Sequence, residues 1–380
     1  MKFEICVASG LEAVAKRELE KLGIFDSKAI DGKIEVEGDY ELLATLSVWL
    51  RSADRILIKL AEFDCTDFDT LFNETKKIEW EEWIGEDACV LMNGNCFKSR
   101  LMALKVSGGV IKIAIMSRLE KVYRKRLRET GREVTVYFSI VNNKCEICLD
   151  ASGDGLHKRG YRKITYTAPL KETLAAGIVL LSIFKGDKPM ADLFCGSGTI
   201  AIESALIARN IAPNLKRHFA FENFVNYQKG ILENVKIFAK TQEIDILPNI
   251  FASDINPEVI ELAKQNAKNA GVEKYIHFLV LDMKNFVPKD DYGVIISNPP
   301  YGERLGTKNE VSKLNTDFFK MLKKYPTWSA YYLTDEKNLE NLIGRKADKK
   351  RKLYNARIEC NLYSFLGTKP PKKVASAEEK

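Results

Sequence analysis

The chain has 380 residues, of which 46% are hydrophobic and 29% charged, and a formal net charge of +7. That length predicts two or three domains with real cores, and the longest apolar stretches, such as Ile178 to Phe184, are far too short to span a bilayer. The N-terminus enters an alternating strand without a secretory hydrophobic region, and the eight scattered cysteines suit reduced thiols, so a cytoplasmic protein is expected.

Phe3, Ile5 and Val7 alternate with polar residues and predict a strand. Residues 10–22 carry Leu11, Val14, Ala15, Leu19 and Leu22 at helical spacing, closed by Gly23. A strand around Ile34 and Val36, a helix over 39–50 and a strand over 55–63 complete a β-α-β-α-β order, a ferredoxin-like subdomain over 1–60. Residues 61–151 form a second unit: an acidic helix over 67–77, a strand over 89–93, a basic helix over 107–128, and a hairpin of 134–141 and 145–150 turned at Asn142-Asn143. Cys145 and Cys148 form a C-x-x-C with no second pair nearby, so two strand residues is the better reading and no metal is expected.

Residues 152–165, rich in glycine and charge, read as a linker. Residues 166–368 then alternate helix and strand: helices over 169–182, 198–209, 257–270 and 311–325, and strands over 189–194, 250–254, 276–281, 293–297 and 329–333. That order predicts an α/β domain with a parallel sheet and helices on both faces. The tail, 369–380, has a disordered composition.

Charge is uneven. Lys105 to Lys144 holds ten Lys/Arg against three Asp/Glu, Ala61 to Asp87 holds two against ten, and Lys337 to Lys352 holds seven against two. Basic beside acidic blocks suggest a face meant for a polyanion, although any single block also suits a solvated face.

The strongest local signal is Met190-Ala-Asp-Leu-Phe-Cys-Gly-Ser-Gly-Thr-Ile200, a strand ending in an acid and a glycine turn that opens a helix. Gly196 and Gly198 let a ligand approach the backbone. Position 201 is Ala, so a third glycine is missing, and no Gly-Lys-Ser/Thr follows; neither the dinucleotide fingerprint nor a P-loop is matched. The turn suits a cofactor with an amino-acid end and no phosphate. Asp192 is expected to meet its ammonium group and loop amides its carboxylate. Asp254 and Asp282 end the next two strands, where they can meet ribose hydroxyls and an adenine amino group. Asp254 has a bland alternative as a helix cap before Pro257, but three aspartates in register exceed what capping explains.

The fourth strand ends in Ser297-Asn298-Pro299-Pro300-Tyr301. The prolines fix an extended turn, which aims the Asn298 side-chain oxygen and the Pro299 carbonyl at one amino group, with Tyr301 as a stacking face. An in-line methyl displacement needs such positioning more than acid–base power.

The glycine turn and Asn298-Pro-Pro-Tyr301 together resemble class I methyltransferases acting on exocyclic or amide nitrogens. With Gly94-Asn-Cys-Phe-Lys-Ser-Arg-Leu101, Leu156-His-Lys-Arg-Gly-Tyr-Arg162 and Ala168-Pro-Leu-Lys-Glu172, nearly the whole chain resembles the THUMP-domain RNA guanine-N2 methyltransferases. That group includes the N-terminal half of the bifunctional large-subunit rRNA methyltransferase and a tRNA enzyme. The resemblance implies a class I, Rossmann-like methyltransferase domain behind a ferredoxin-like plus THUMP RNA-binding module. It also implies S-adenosylmethionine as cofactor and guanine N2 of structured RNA, 23S rRNA ahead of tRNA, as target. Implied cofactor residues are Ala168, Pro169, Leu170, Asp192, Phe194, Gly196, Ser197, Gly198, Thr199, Asp254, Ile255, Asp282, Met283 and Asn298. Asn298, Pro299 and Tyr301 would hold the reacting amine. Phosphate contacts are expected from Arg118, Arg124, Lys125, Arg126 and Arg128, with Lys158, Arg159 and Arg162 joining the domains. An insertion, Asn210 to Asn249, separates the first two strands of the pattern, as in the family.

Other readings fit less well. Ser107-Gly-Gly-Val lacks the Asp-Ser of a thiolation loop, since Ile111 and Lys112 follow. Cys195 lies inside the cofactor turn, badly placed for cytosine-C5 attack. His157 suits a phosphate or backbone contact better than a base. Adenine-N6 and protein-glutamine methyltransferases share Asn-Pro-Pro-Tyr, and the first 150 residues favour RNA over both. An inactive RNA-binding assembly factor is opposed by the intact Asp192, Asp254, Asp282 and Asn298.

Overall fold

The computed structural model describes residues 1–30, 32–162, 170–300, 308–356 and 358–370. They divide into two compact units: 1–8, 12–159 and 212–241 in one, and 9–11, 160–211 and 242–380 in the other.

The first unit contains β1 (Lys2–Val7), α1 (Glu12–Lys21), β2 (Lys28–Ile30), β3 (Lys33–Glu37), α2 (Tyr40–Trp49), β4 (Ala53–Asp64), α3 (Phe68–Lys77), β5 (Cys89–Phe97), α4 (Leu104–Tyr123), β6 (Glu133–Val141) and β7 (Lys144–Asp150). Its seven strands make one sheet in the order β2-β3-β1-β4-β7-β6-β5. The long β4 pairs with β1 on one side and β7 on the other, so the two predicted subdomains share a continuous sheet. The period-2 pattern sends Phe3, Ile5, Ile56, Ile58, Val136, Phe138, Cys145 and Ile147 into one buried cluster. Cys148, three residues after Cys145, points to the opposite face, so this C-x-x-C does not present two thiols to one ion. On that face Cys148 lies near Glu4 and Glu146, whose charges are met by Lys33 and Lys59.

The second unit contains α5 (Glu172–Leu181), β8 (Met190–Asp192) and α6 (Thr199–Ala208). The chain then contributes α7 (Ile231–Thr241) to the first unit before returning. It continues with β9 (Ile250–Asp254), α8 (Pro257–Ala270), β10 (Ile276–Val280), β11 (Gly293–Ser297), α9 (Lys308–Leu322), β12 (Trp328–Thr334), α10 (Leu339–Ile343), β13 (Lys349–Asn355) and β14 (Ile358–Phe365). The sheet order is β10-β9-β8-β11-β12-β14-β13. Its first five strands are parallel, and β14 runs antiparallel between β12 and β13. The expectation of a purely parallel sheet is therefore corrected at one edge. Among the described residues no helix is long and apolar enough to cross a membrane.

Three further expectations change. The basic helix ends at Tyr123, because Arg124 takes a left-handed φ of +55°, so 124–128 follow it as a loop. The last long helix spans 308–322 instead of 311–325. Most consequential is the insertion: Phe219, Phe221, Phe224, Leu232, Val235 and Ala239 join the core of the first unit, so 212–241 lie outside the domain to which the sequence assigns them. The tail from 371 lies outside the described residues.

Candidate cofactor and acceptor site

The sheet order creates a switch point. From β8 the chain proceeds outward to β9 and β10, then returns to β11 on the other side of β8. Ligands of open α/β sheets bind outside the carboxyl ends of strands at such a point, and here those ends carry Asp192 and Asn298.

Asp192 is 1% exposed. Its Oδ1 accepts the Phe194 N–H at 3.3 Å and the Ser297 hydroxyl at 3.2 Å. Burial, assisted by the charge of Asp254, pushes its carboxyl up to about 7, against the two hydrogen bonds. Such a carboxylate is poised to gain from a cationic partner. The turn after it is strongly shaped. Gly196 has φ +51° and Gly198 φ +83°. A Cβ on Gly198 would come within 3.1 Å of Ala263, whereas one on Gly196 would meet nothing among the described residues. The Gly196 N–H donates to Asp254 Oδ2 at 3.2 Å, and the other oxygen of Asp254 accepts the Asn256 N–H at 3.1 Å. Ser197 is held through its carbonyl by the Asn266 amide at 3.0 Å. The turn and the end of β9 are thus one hydrogen-bonded piece.

The parallel register pairs Asp192 with Ala252 and Asp254 with Val280, so the three strand ends step outward and Asp282 follows beyond β10. Asp282 Oδ1 accepts the Lys284 N–H at 2.9 Å, capping the turn that buries Met283. Ile255 is 71% exposed beside Asp254, an apolar surface at the same edge. Asn298 Oδ1 is buried and no partner reaches it among the described residues. An unmade hydrogen bond of this kind costs about 1–3 kcal/mol, which a bound amine would recover. Pro299 behind it is buried. Phe194 packs against Phe318 of α9 at 6.1 Å. Tyr301, Ala168 and Pro169 lie outside the described residues.

Open space at Gly196, a buried carboxylate without a described ion pair and an orphaned acceptor are what an amino-acid-bearing cofactor and an amine substrate require. Comparison with known proteins identifies the family. A family model of the RMKL-like methyltransferase domain matches residues 159–364, one of the RlmL ferredoxin-like domain matches 2–57, and one of the THUMP domain matches 65–150. The chain belongs to the RMKL-like methyltransferases. It is 40% identical to "Putative RNA methyltransferase YpsC" of Bacillus subtilis, over 96% of this chain and 95% of that protein. It is 32% identical to "Ribosomal RNA large subunit methyltransferase K/L" of Psychromonas ingrahamii, over 96% of this chain, and spans 50% of that relative. The crystal structure of SMU.472, described as a putative methyltransferase complexed with SAH, superposes with a TM-score of 0.92 at 35% identity, covering 97% of this chain and 99% of that one.

In this RMKL-like methyltransferase the basic residues singled out in the sequence do different jobs. Arg124, Arg126 and Arg128 are exposed, and Lys125 pairs with the exposed Glu86, an ion pair worth little in water. Lys158 pairs with Asp154 at an exposed site. Arg118 is engaged twice by Glu81 and also donates to the Lys77 carbonyl at 3.0 Å. Arg159 is 4% exposed and donates to the carbonyls of Leu156 and Arg51 and to Asn214 Oδ1, so it serves the interior of the first unit instead of a phosphate. Arg162 lies in the second unit. It donates to Thr199 Oγ1 at 2.8 Å and to the Leu170 carbonyl at 3.2 Å, with Glu172 at 3.4 Å, tying two expected cofactor residues together. Sequence reasoning missed that role, and also missed Ser297, whose only signal was a polar residue closing the apolar run Val294-Ile-Ile296.

Proposed function

We propose that this methyltransferase modifies the exocyclic N2 amine of guanine in large-subunit ribosomal RNA, in the cytoplasm. The methyl donor is S-adenosylmethionine, which when bound supplies an electrophilic methyl group. The observation that carries the acceptor assignment is the buried Asn298 Oδ1 at the switch point, which has no partner among the described residues. In this reading Asp192 holds the cofactor's ammonium group, the amides of the 194–199 turn face its carboxylate, Asp254 and Asp282 take its ribose and adenine, and Ile255 and Met283 line the base. Asn298 Oδ1 and the Pro299 carbonyl accept the two N–H groups of the amine, which directs the nitrogen lone pair toward the methyl. As the N–C bond forms, the donor's S–CH3 bond would break with its electron pair staying on sulfur, leaving S-adenosylhomocysteine; positive charge grows on the nitrogen, which then loses one proton to water, and both acceptors gain strength, which favours the transition state over the ground state. Tyr301 stacks on the base, which must leave its helix to enter. The THUMP match supports RNA, as does similarity to relatives named as RNA methyltransferases; guanine N2 and the ribosomal target rest on family likeness.

Labelled cofactor and RNA from a strain lacking the protein provide the test, read by nucleoside mass spectrometry. Label in N2-methylguanosine of large-subunit RNA is expected, with Asn298→Ala slowing the reaction about 10²–10³-fold while cofactor affinity stays near wild type. Label in N6-methyladenosine would change the base, and label on a ring carbon or on protein glutamine would overturn the substrate.

A further inference from the structure

Ser297 closes β11 immediately before Asn298 and is 1% exposed. A hydroxyl buried there costs free energy unless its hydrogen bonds are made, and both are. It accepts the Leu193 N–H at 3.0 Å and donates to Asp192 Oδ1 at 3.2 Å. The ladder between β8 and β11 pairs Met190 with Val294 and Ala191 with Ile295 and goes no further. Past that point the Ser297 hydroxyl carries the connection to the cofactor turn. On its other side the backbone of Ser297 is registered against Tyr332 of β12, whose buried hydroxyl donates to Asn315 Oδ1 at 2.7 Å. One side of Ser297 is therefore anchored in the sheet while its hydroxyl reaches the cofactor aspartate.

We propose that Ser297 is a positioning residue that ties the cofactor turn to the acceptor asparagine, so that one hydroxyl sets both the charge state of Asp192 and the aim of Asn298. The proposal rests on the S-adenosylmethionine reading above. Removing the hydroxyl takes from the Asp192 carboxylate one of its two hydrogen-bond donors and leaves the Leu193 N–H without its acceptor. It also removes the side-chain link that, among the described residues, joins the cofactor turn to the residue adjoining Asn298. The groups facing Asp192 are Ser297 from β11, Asp254 from β9 and Cys195 from its own turn, with no ion pair to it among the described residues. Losing the Ser297 donor therefore favours the protonated acid, which holds an ammonium group more weakly than the carboxylate does.

The test uses full-length wild type, Ser297→Ala, Ser297→Cys and Ser297→Thr. Titration calorimetry with S-adenosylhomocysteine from about pH 6 to 9 is combined with kcat and KM for RNA. In wild type, affinity should rise with pH through a midpoint near the Asp192 value of about 7. In Ser297→Ala it should be roughly tenfold weaker at neutral pH, recover at the alkaline end, and show a midpoint shifted upward. Its kcat should fall while KM for RNA stays within about twofold, since no group expected to touch RNA is altered. Ser297→Cys, which keeps the volume with a weaker donor, should lie between, and Ser297→Thr should recover most of both losses. An Ala variant that binds like wild type at every pH, or a loss that Thr does not recover and that leaves the midpoint unmoved, overturns the proposal. Wild type that fails to bind S-adenosylhomocysteine overturns the cofactor reading itself, a distinguishable result.

Discussion

At the scale of single residues the cofactor turn stores its cost in two places. The Asp192 carboxyl sits near 7 because burial outweighs its hydrogen bonds, well above the roughly 3.9 of a free aspartate. A folded-state value above the unfolded one means that the folded chain binds the proton more tightly. This contribution to stability is complete below about pH 4 and is lost as pH rises through about 7. Melting temperatures of cofactor-free protein should therefore decline from about pH 4 to 7 and level off above, and Asp192→Asn should flatten that decline; an unchanged pH profile in the variant would assign the effect elsewhere. The two glycines separate stability from binding. At Gly198 a methyl meets Ala263 and the backbone is left-handed, so Gly198→Ala should cost about 1–2 kcal/mol or more in unfolding free energy. At Gly196 the added methyl meets no atom of the described residues. Gly196→Ala should pay chiefly the left-handed penalty, of about 1 kcal/mol, yet, on the proposed reading, lose cofactor affinity because the methyl enters the space assigned to the ligand. Melts compared with calorimetry distinguish the two.

At the scale of elements the insertion behaves unlike its place in the sequence. Phe221 is fully buried and packs against Phe219 at 5.6 Å, Tyr227 at 5.3 Å and Tyr40 at 6.4 Å. The Asn214 side chain donates to the Ser47 carbonyl at 2.9 Å, and Arg217 donates to that of Gly155 at 2.8 Å. Phe221→Ala should cost about 3–5 kcal/mol, read as a lower denaturant midpoint for the transition of the first unit. A fragment spanning 160–380 would carry this apolar segment without the core it fills. It should be less soluble and bind a hydrophobic dye more strongly than the same fragment with 212–241 replaced by a short polar loop. Another basic block finds an element-level role: Lys349, Lys350, Arg351 and Lys352 lie on β13, the edge of the second sheet, where charge discourages edge-to-edge pairing.

At the scale of the whole molecule the net charge of +7 hides cations of different standing. Arg118 and Arg159 are spent inside the first unit, whereas Arg124, Arg126 and Arg128 are exposed on the loop after α4. Replacing those three by glutamine should weaken RNA binding and reduce the slope of log affinity against log salt by about 0.7–0.9 for each phosphate that is no longer neutralised. Cofactor affinity should not change. Filter binding across a salt series reads both outcomes, and an unaltered slope would move the phosphate-binding surface away from this loop.

The sequence by itself determined what local chemistry and short-range periodicity can encode. The glycine turn, the aspartates closing successive strands, the proline-fixed Asn298 and the alternating strands of the first sheet are each specified within about ten residues of chain. Only the tertiary structure decided matters that join residues far apart. Arg159, Arg162 and Arg118 look alike as exposed cations in sequence, but their roles depend on carbonyls and carboxylates 3 to 108 positions away. The strand β14 reverses the parallel pattern through pairing that no local period signals. The apolar residues of the insertion announce burial without saying which core they fill. Ser297 gains its meaning only when β11 is laid beside β8, because a hydrogen bond across 105 positions leaves no trace in the spacing of the chain.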